Sequence, residues 1–375
     1  IHTSLMNSKN ILFIAPIPPP INGQSKASLI LLNSLNINFK TLVVNLSKDS
    51  LSSGKITRNR LVEIISILTK VYKNRKNNNI IYLSVAESFL GNLRDLFIYI
   101  ICKKSKKNLY IHLLGGSGLK AILQKKSLLS YLNKYFLKQI AGIIVESENN
   151  AIIFTNFLPL NKVHIIPNFS EDYLFANNEE IISKFKNINK IQVLFLSNLI
   201  YGKGYNELID AFLFMPPELQ DHFVIKFVGG FENQSEETIF LEKIKRNKSL
   251  SYLGNFIDGL EKRKLYMESH IFCLPTYYPY EGQPISILEA YATGCYVITT
   301  NHGGISNIFE NKINGYLVEK KSISSLIESF SYVIKNKNIL LSTSITNNKI
   351  ALNNYRTNIF ENKINQLFNK HLTNK

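Results

Sequence analysis

Two carboxylates, Glu281 and Glu289, stand eight positions apart in the stretch 275–304, PTYYPYEGQPISILEAYATGCYVITTNHGG. Between them Pro284 opens an apolar run that Gly294 closes. Proline suits the first turn of a helix and glycine the position just past its end. Glu281 is therefore expected in a loop ahead of a short helix, and Glu289 within that helix. Ile285, Ile287, Leu288, Ala290, Tyr291 and Ala292 make the helix apolar nearly all round, which predicts burial. A glutamate on a buried helix stays charged only if it has partners. The first turn also offers the backbone N–H groups of Ile285 and Ser286, which have no partner inside the helix and suit an anion. A loop carboxylate, a helix start fit for phosphate and a buried carboxylate together suit a charged, hydroxyl-rich ligand.

Further candidates fall in loops that follow predicted strands. Lys203-Gly204 stands directly before a helix, where a lysine is a flexible point charge for phosphate. It lacks the GxxxxGK run of a P-loop, and a lone surface lysine is ordinarily just solvated. Gly229-Gly230 ends one strand, and Gly254 ends the next, followed by Asn255-Phe256-Ile257-Asp258-Gly259. Gly303-Gly304 follows the strand after the Glu289 helix. Singly these are turn residues; together they describe a ligand surface lined by backbone. In the first half, Gly23 ends a proline-stiffened loop, 16–24, and leads into a helix, where backbone can approach a ligand closely. Read alone, that loop is better taken as a rigid surface feature. It is not a GxGxxG fingerprint, which speaks against a nicotinamide cofactor. His112 lies on a strand before Gly115-Gly116-Ser117-Gly118 and reads either as an acid–base candidate or as a structural histidine. No cluster has metal-ligand spacing, and there is no GxSxG elbow.

Positioning these residues takes alternating strands and helices. In the first half strands are expected over 11–15, 41–45, 80–83, 109–113, 142–145 and 163–166, with helices over 26–35, 61–74 and 128–139. In the second half strands are expected over 192–197, 224–228, 251–253, 271–274 and 297–299, with helices over 205–214, 237–245, 261–268 and 285–292. Alternation of this kind means parallel sheets with crossover helices, and two runs mean two doubly wound α/β domains. The link is expected over 167–171, and the polar tail from 347 onward reads as one or two surface helices. In open α/β sheets ligands sit beyond the carboxyl ends of the strands, so two such domains facing each other would form a central cleft.

The length of 375 residues suits two domains, and a hydrophobic content of 45% is globular. Cys102, Cys273 and Cys295 are scattered, which fits a reducing compartment. No apolar run has the length to cross a bilayer, and no signal-like start is seen; Met6 reads as the initiator, with 1–5 an upstream remnant. These readings predict a cytoplasmic protein. The net charge of +17 is unevenly spread: residues 1–168 hold 22 Lys/Arg against 6 Asp/Glu, net +16, and the remainder is nearly balanced at +1. Coding bias toward Lys, Asn and Ile would act on both halves alike. The asymmetry predicts an anionic partner for the first domain, a membrane or a nucleic acid.

Taken in order, these motifs resemble the retaining family-4 glycosyltransferases of the GT-B fold. The Glu-x7-Glu signature is Glu281 to Glu289, the Lys-Gly is Lys203-Gly204, and Asn314-Gly315-Tyr316-Leu317-Val318 is similar to the family's Asn-Gly-x-Leu-Val run. The resemblance is dense from Val193 to Val318 and thin in the first half, where Pro18–Gln24 matches best. It implies two Rossmann-like domains: an acceptor-side domain over 1–168, a nucleotide-sugar domain over 169–345, and a helical tail over 346–375 packing back toward the first. It implies that Glu289 holds ribose hydroxyls, that Lys203 with the amides of Ile285 and Ser286 holds the diphosphate, and that Glu281 contacts the transferred sugar. Gly23, Asn198, Gly229 and Ile257 would complete the donor site, with no metal or other cofactor. Two departures stand out. The family's Gly-Arg-Leu is Ser197-Asn198-Leu199 here, and the histidine usually found before Gly115 is Leu114, with His112 two positions earlier on the same strand face.

The expected function is transfer of a sugar, most simply from a UDP-sugar, to a glycan or polyprenyl-linked acceptor, with retention, in O-antigen or capsule synthesis. The basic first domain would dock on the anionic inner face of the plasma membrane, with the stretch 120–138 carrying Leu128, Leu129, Tyr131, Tyr135 and Phe136 among its lysines. A nucleic-acid-binding protein would leave Glu281 and Glu289 unexplained and lacks a reading module; a nucleotide-sugar epimerase of similar fold is the other alternative.

Overall fold

The computed structural model describes residues 9–19, 23–47, 58–115, 117–255 and 257–374, without the side chains of 58–60 and 117. Met6, residues 20–22, Gly116 and Phe256 lie outside the described residues. The chain forms two compact units. One takes the chain up to Pro167 together with Phe360 onward; the other runs from Asn168 to Ile359.

The first unit holds the strands β1 (Asn10–Ala15), β2 (Lys40–Asn45), β3 (Ile80–Ser84), β4 (Leu109–Leu113), β5 (Gly142–Val145) and β6 (Val163–Ile165). Its helices are α1 (Gly23–Asn38), α2 (Arg58–Asn74), α3 (Phe89–Ile101), α4 (Ser117–Gln124), α5 (Leu128–Leu137) and α6 (Glu148–Thr155). The second unit holds β7 (Ile191–Leu196), β8 (Phe223–Val228), β9 (Leu250–Tyr252), β10 (Ile271–Leu274), β11 (Tyr296–Thr300) and β12 (Gly315–Val318). Its helices are α7 (Asn178–Lys184), α8 (Tyr205–Phe214), α9 (Pro217–Gln220), α10 (Gln234–Ile244), α11 (Gly259–Glu268), α12 (Ile285–Ala292), α13 (Ile323–Lys335) and α14 (Ile339–Asn354). The last helix, α15 (Thr357–Thr373), leaves the second unit and joins the first.

Both sheets are parallel throughout. The first has the order β2-β1-β3-β4-β5-β6. Its central strands are buried on both faces, which is why they read as continuous apolar runs instead of alternating ones. One face packs Leu12, Ile81, Ile111 and Ile143 against Leu96, Leu119, Leu137 and Phe154 of the crossover helices. The other face turns Tyr110 and His112 toward α15, with ring centroids 5.3 Å from Phe368 and 6.4 Å from Phe360.

The tail expected over 346–375, as one or two surface helices packing back toward the first domain, is divided between the two units. α14 stays in the second unit, where Asn347 donates to the carbonyls of Cys295 and Asn314 at 2.8 and 2.9 Å, and only Phe360 onward joins the first. The polar residues of that segment are buried amides tied to backbone, which composition alone does not distinguish from a solvated face. The basic stretch 120–138 is likewise two helices. The Ser127 hydroxyl accepts from the Ser130 amide at 3.2 Å and starts α5 afresh, and Leu129 and Phe136 turn inward.

The second sheet has the order β12-β11-β10-β7-β8-β9. The strand order reverses between β7 and β10, which are neighbours although two strands separate them in sequence. The loops leaving their carboxyl ends diverge there, and the gap between them is where an open α/β sheet receives its ligand.

Candidate functional site

The loops after β7 and β10 meet through charge. Lys203 Nζ donates to both oxygens of Glu281, at 2.9 and 2.8 Å, and the Thr276 hydroxyl adds a third bond to Oε2 at 2.7 Å. Both side chains are nearly buried, at 12% and 7% exposure. The ammonium also lies 4.8 Å from the centroid of the Tyr278 ring. A lysine thus approaches an acid and an aromatic face at the point where the sheet topology opens.

Glycines let the loops come this close. Gly204 has φ +85°, and a Cβ there would stand 2.3 Å from the Pro275 carbonyl oxygen. It precedes α8 and so aims Lys203 across toward the β10 loop. Gly303 has φ +55°, and its Cβ would meet the Glu281 carbonyl oxygen at 2.3 Å. Gly304 donates to the Gly282 carbonyl at 2.9 Å. The loop carrying Glu281 is therefore held from both sides by backbone.

α12 starts at Ile285 behind Pro284, and no side chain caps it. It ends at a Schellman turn: Gly294, with φ +63°, donates to Tyr291 O, and Cys295 donates to Ala290 O. Six of its eight residues are buried, including Glu289 at 3% exposure. The carboxylate has the partners its burial requires. Lys262 Nζ bonds Oε1, and the Tyr266 hydroxyl donates to Oε2 at 3.0 Å. Burial and then the Glu289 charge hold the Tyr266 phenol well above its ordinary pKa, so it remains a donor. Lys262 itself is 5% exposed, and its Nζ lies 3.9 Å from Asp258 Oδ1.

The structure thus gathers Lys203, Glu281, Ile285, Ser286 and Glu289 around the loops after β7 and β10. Asn198 follows β7, half-buried; Gly229 follows β8 with φ +148°; Ile257, half-buried, stands two residues before α11. All belong to the second unit. Gly23 and His112 belong to the first unit. Gly23 is exposed at the start of α1, and the neighbouring Gln24 amide donates to the Ser84 hydroxyl at 2.9 Å. His112 is buried at 1% exposure, with Nδ1 2.6 Å from the Tyr82 hydroxyl. Burial lowers its pKa to about 3, so the ring is neutral. The ring packs between Tyr82 and Phe360, with centroids 5.8 and 6.4 Å away.

Four side chains at the site were missed by the sequence reading: Lys262, Tyr266, Thr276 and Tyr278. A signal for Lys262 exists. It shares a helical stripe with Leu265 and Tyr266, three and four positions on, and a lysine on a core-facing stripe calls for an anion. Asn314 proves to be a brace, with Nδ2 donating to Asn347 Oδ1 at 2.8 Å.

Residues 177–351, nearly the whole second unit, match the family described as Glycosyl transferases group 1. The second unit therefore carries a group 1 glycosyl transferase domain. Among curated relatives, the N,N'-diacetylbacillosaminyl-diphospho-undecaprenol alpha-1,3-N-acetylgalactosaminyltransferase of Campylobacter jejuni is 25% identical over 354 residues, covering 90% of this chain and 88% of that protein. The capsular polysaccharide biosynthesis glycosyltransferase CapM of Staphylococcus aureus is 24% identical, covering 64% and 66%. The chain spans about half the length of two uncharacterized glycosyltransferases, 47% for one from Haemophilus influenzae and 51% for one from Methanocaldococcus jannaschii. Anabaena HepE, solved in complex with UDP, superposes with a TM-score of 0.71 at 16% identity over 96% of this chain and all of that one. The two doubly wound domains therefore have the GT-B architecture.

Proposed function

We propose that this group 1 glycosyl transferase moves a sugar from a nucleotide-sugar to a hydroxyl of a lipid-linked glycan, with retention at the anomeric carbon. The observation that carries the proposal is the Lys203–Glu281 pair at the reversal point of the second sheet, beside the uncapped start of α12. In this reading the diphosphate takes Lys203 and the amides of Ile285 and Ser286, the ribose diol takes Glu289, and the transferred sugar meets Glu281. As the bond from the anomeric carbon to the diphosphate breaks, its electron pair stays on the phosphate oxygen. The acceptor oxygen bonds to the carbon, and its proton ends on the departing diphosphate. Lys203 and the helix start stabilise the charge that develops there, so no divalent cation is required.

UDP is the favoured carrier, supported by HepE, which was solved with UDP and with UDP-glucose. A polyprenyl-diphosphate acceptor in surface-polysaccharide synthesis is supported by the Campylobacter relative, whose name specifies a diphospho-undecaprenol. Such an acceptor is embedded in a bilayer, and the first unit offers a surface to match. α3 packs on both α2 and α5, and these helices leave Leu61, Ile65, Phe97, Ile100, Tyr131 and Tyr135 exposed. Four lysines, at 103, 104, 106 and 107, follow α3 directly. Apolar side chains among lysines suit the anionic inner face of the plasma membrane. Among the described residues no helix is long and apolar enough to cross a membrane.

The test is a panel of UDP- and GDP-sugars with undecaprenyl-diphosphate-linked sugar acceptors, with products read by mass spectrometry and the new linkage by NMR. One nucleotide-sugar should raise the melting temperature and give a product of unchanged anomeric configuration. If none binds and none reacts, the reading fails.

A further inference from the structure

Glu289 takes the ribose in the proposed function, and its buried partner Lys262 has no task of its own there. We propose that Lys262 is a positioning residue for the nucleotide: it pins Oε1 of Glu289 so that the carboxylate meets the ribose diol squarely. This rests on the assignment of Glu289 to the ribose.

A carboxylate offers about four lone-pair directions, two on each oxygen. Lys262 occupies one on Oε1, and Tyr266 occupies one on Oε2. Each oxygen thus keeps a free direction, and two free directions on neighbouring oxygens match two neighbouring hydroxyls. Tyr266 is anchored in its turn by its hydroxyl, which lies 3.1 Å from the Ser286 carbonyl in the first turn of α12. Lys262 is anchored near the N-terminal end of α11, where the Tyr173 hydroxyl donates to Asp258 Oδ1 at 2.9 Å. The carboxylate is therefore clamped between α11 and the start of α12, the same helix start that faces the diphosphate in this reading. Helix α12 presents Glu289 with its side chain buried, and Lys262 and Tyr266 each hold one of its oxygens. A lysine carries the task better than a neutral donor, because its charge also balances the buried carboxylate before the nucleotide arrives.

The test is affinity by calorimetry for UDP against 2′-deoxy-UDP, and for GDP against 2′-deoxy-GDP, in the full chain. A hydrogen bond from a hydroxyl to a carboxylate is worth roughly one order of magnitude or more in affinity, so the wild type should prefer the ribonucleotide by about tenfold or more. Glu289→Gln should shrink that ratio. Lys262→Met should shrink it to within about twofold of unity while Lys262→Arg preserves it. The ratio is measured on folded protein alone, so a loss of stability does not move it. The double variant Lys262→Met/Glu289→Gln leaves no buried unpaired charge and serves if Lys262→Met folds poorly; its ratio should match that of Glu289→Gln. If Glu289→Gln shrinks the ratio and Lys262→Met keeps it, or if the double variant has a ratio different from Glu289→Gln, Lys262 does not act through Glu289 and the inference fails. If Glu289→Gln keeps it too, or no nucleotide binds, the assignment of Glu289 is wrong and the inference goes with it.

Discussion

Replacing Lys203 with Met keeps an unbranched side chain, one atom shorter, and removes the charge. Glu281 then loses both ammonium contacts, at 2.9 and 2.8 Å, and keeps the Thr276 hydroxyl at 2.7 Å. With the pair this shielded from water, removing one partner costs about 3 kcal/mol or more. For a unit of this size each kcal/mol is about 2–4 °C in melting temperature, so the second unit should melt roughly 6–12 °C lower. Adding Glu281→Gln removes the stranded charge and should restore most of that loss. Activity should not recover with it. The ammonium is assigned to charge developing on the diphosphate, and losing one such group costs about 10²–10³-fold in turnover. Differential scanning calorimetry and steady-state transfer kinetics on both variants separate the two effects. A double variant with turnover within about threefold of wild type would remove Lys203 from the chemistry. A single variant that melts like wild type would refute the energetic argument about the pair.

Gly303→Ala places a Cβ 2.3 Å from the Glu281 carbonyl oxygen at φ +55°, so the loop must shift; the donor KM should rise roughly tenfold at a strain of about 1–3 kcal/mol, while the acceptor KM stays put in steady-state assays. His112 has its pKa depressed to about 3 in the fold, so its stabilisation is complete above pH 6.5 and is lost as pH falls toward 3. By pH 4 that loss reaches about 3 kcal/mol, and denaturant melts of His112→Gln should show a correspondingly shallower acid slope. Cosedimentation should show binding to anionic vesicles that weakens with salt and drops about tenfold in an Ile65→Asp/Phe97→Asp variant; equal binding by the variant would exclude this surface. EDTA should leave transfer unchanged, and a loss restored by Mg²⁺ would overturn the role given to Lys203 and the helix start.

Much of the site could be read before the fold was known, because its parts are local. Pro284 and Gly294 bracket α12 by backbone rules alone, and Gly204 marks the start of α8. The strands were legible because parallel sheets bury both faces. Partnerships were harder. Glu289 called for a cation, but Lys262 lies 27 positions away, and only the packing of α11 on α12 identifies it. The surroundings of His112 were equally out of reach, since Tyr82 comes from β3 and Phe360 from α15. The asparagines of α14 look solvated in sequence, yet Asn347 and Asn348 are buried amides bonded to backbone.

The reversal of strand order between β7 and β10 has a consequence for how the protein acquires its activity. Lys203 and Glu281 are separated by 78 positions, and the three-strand segment from β7 to β9 can form before β10 joins it. Such distant pairings are slow, because the intervening chain must be ordered before their contacts repay it. A half-formed unit holds the lysine without the carboxylate that neutralises it. Nucleotide binding should therefore return later than helical signal during refolding, which makes it a reporter of the moment when the two halves of the second sheet join.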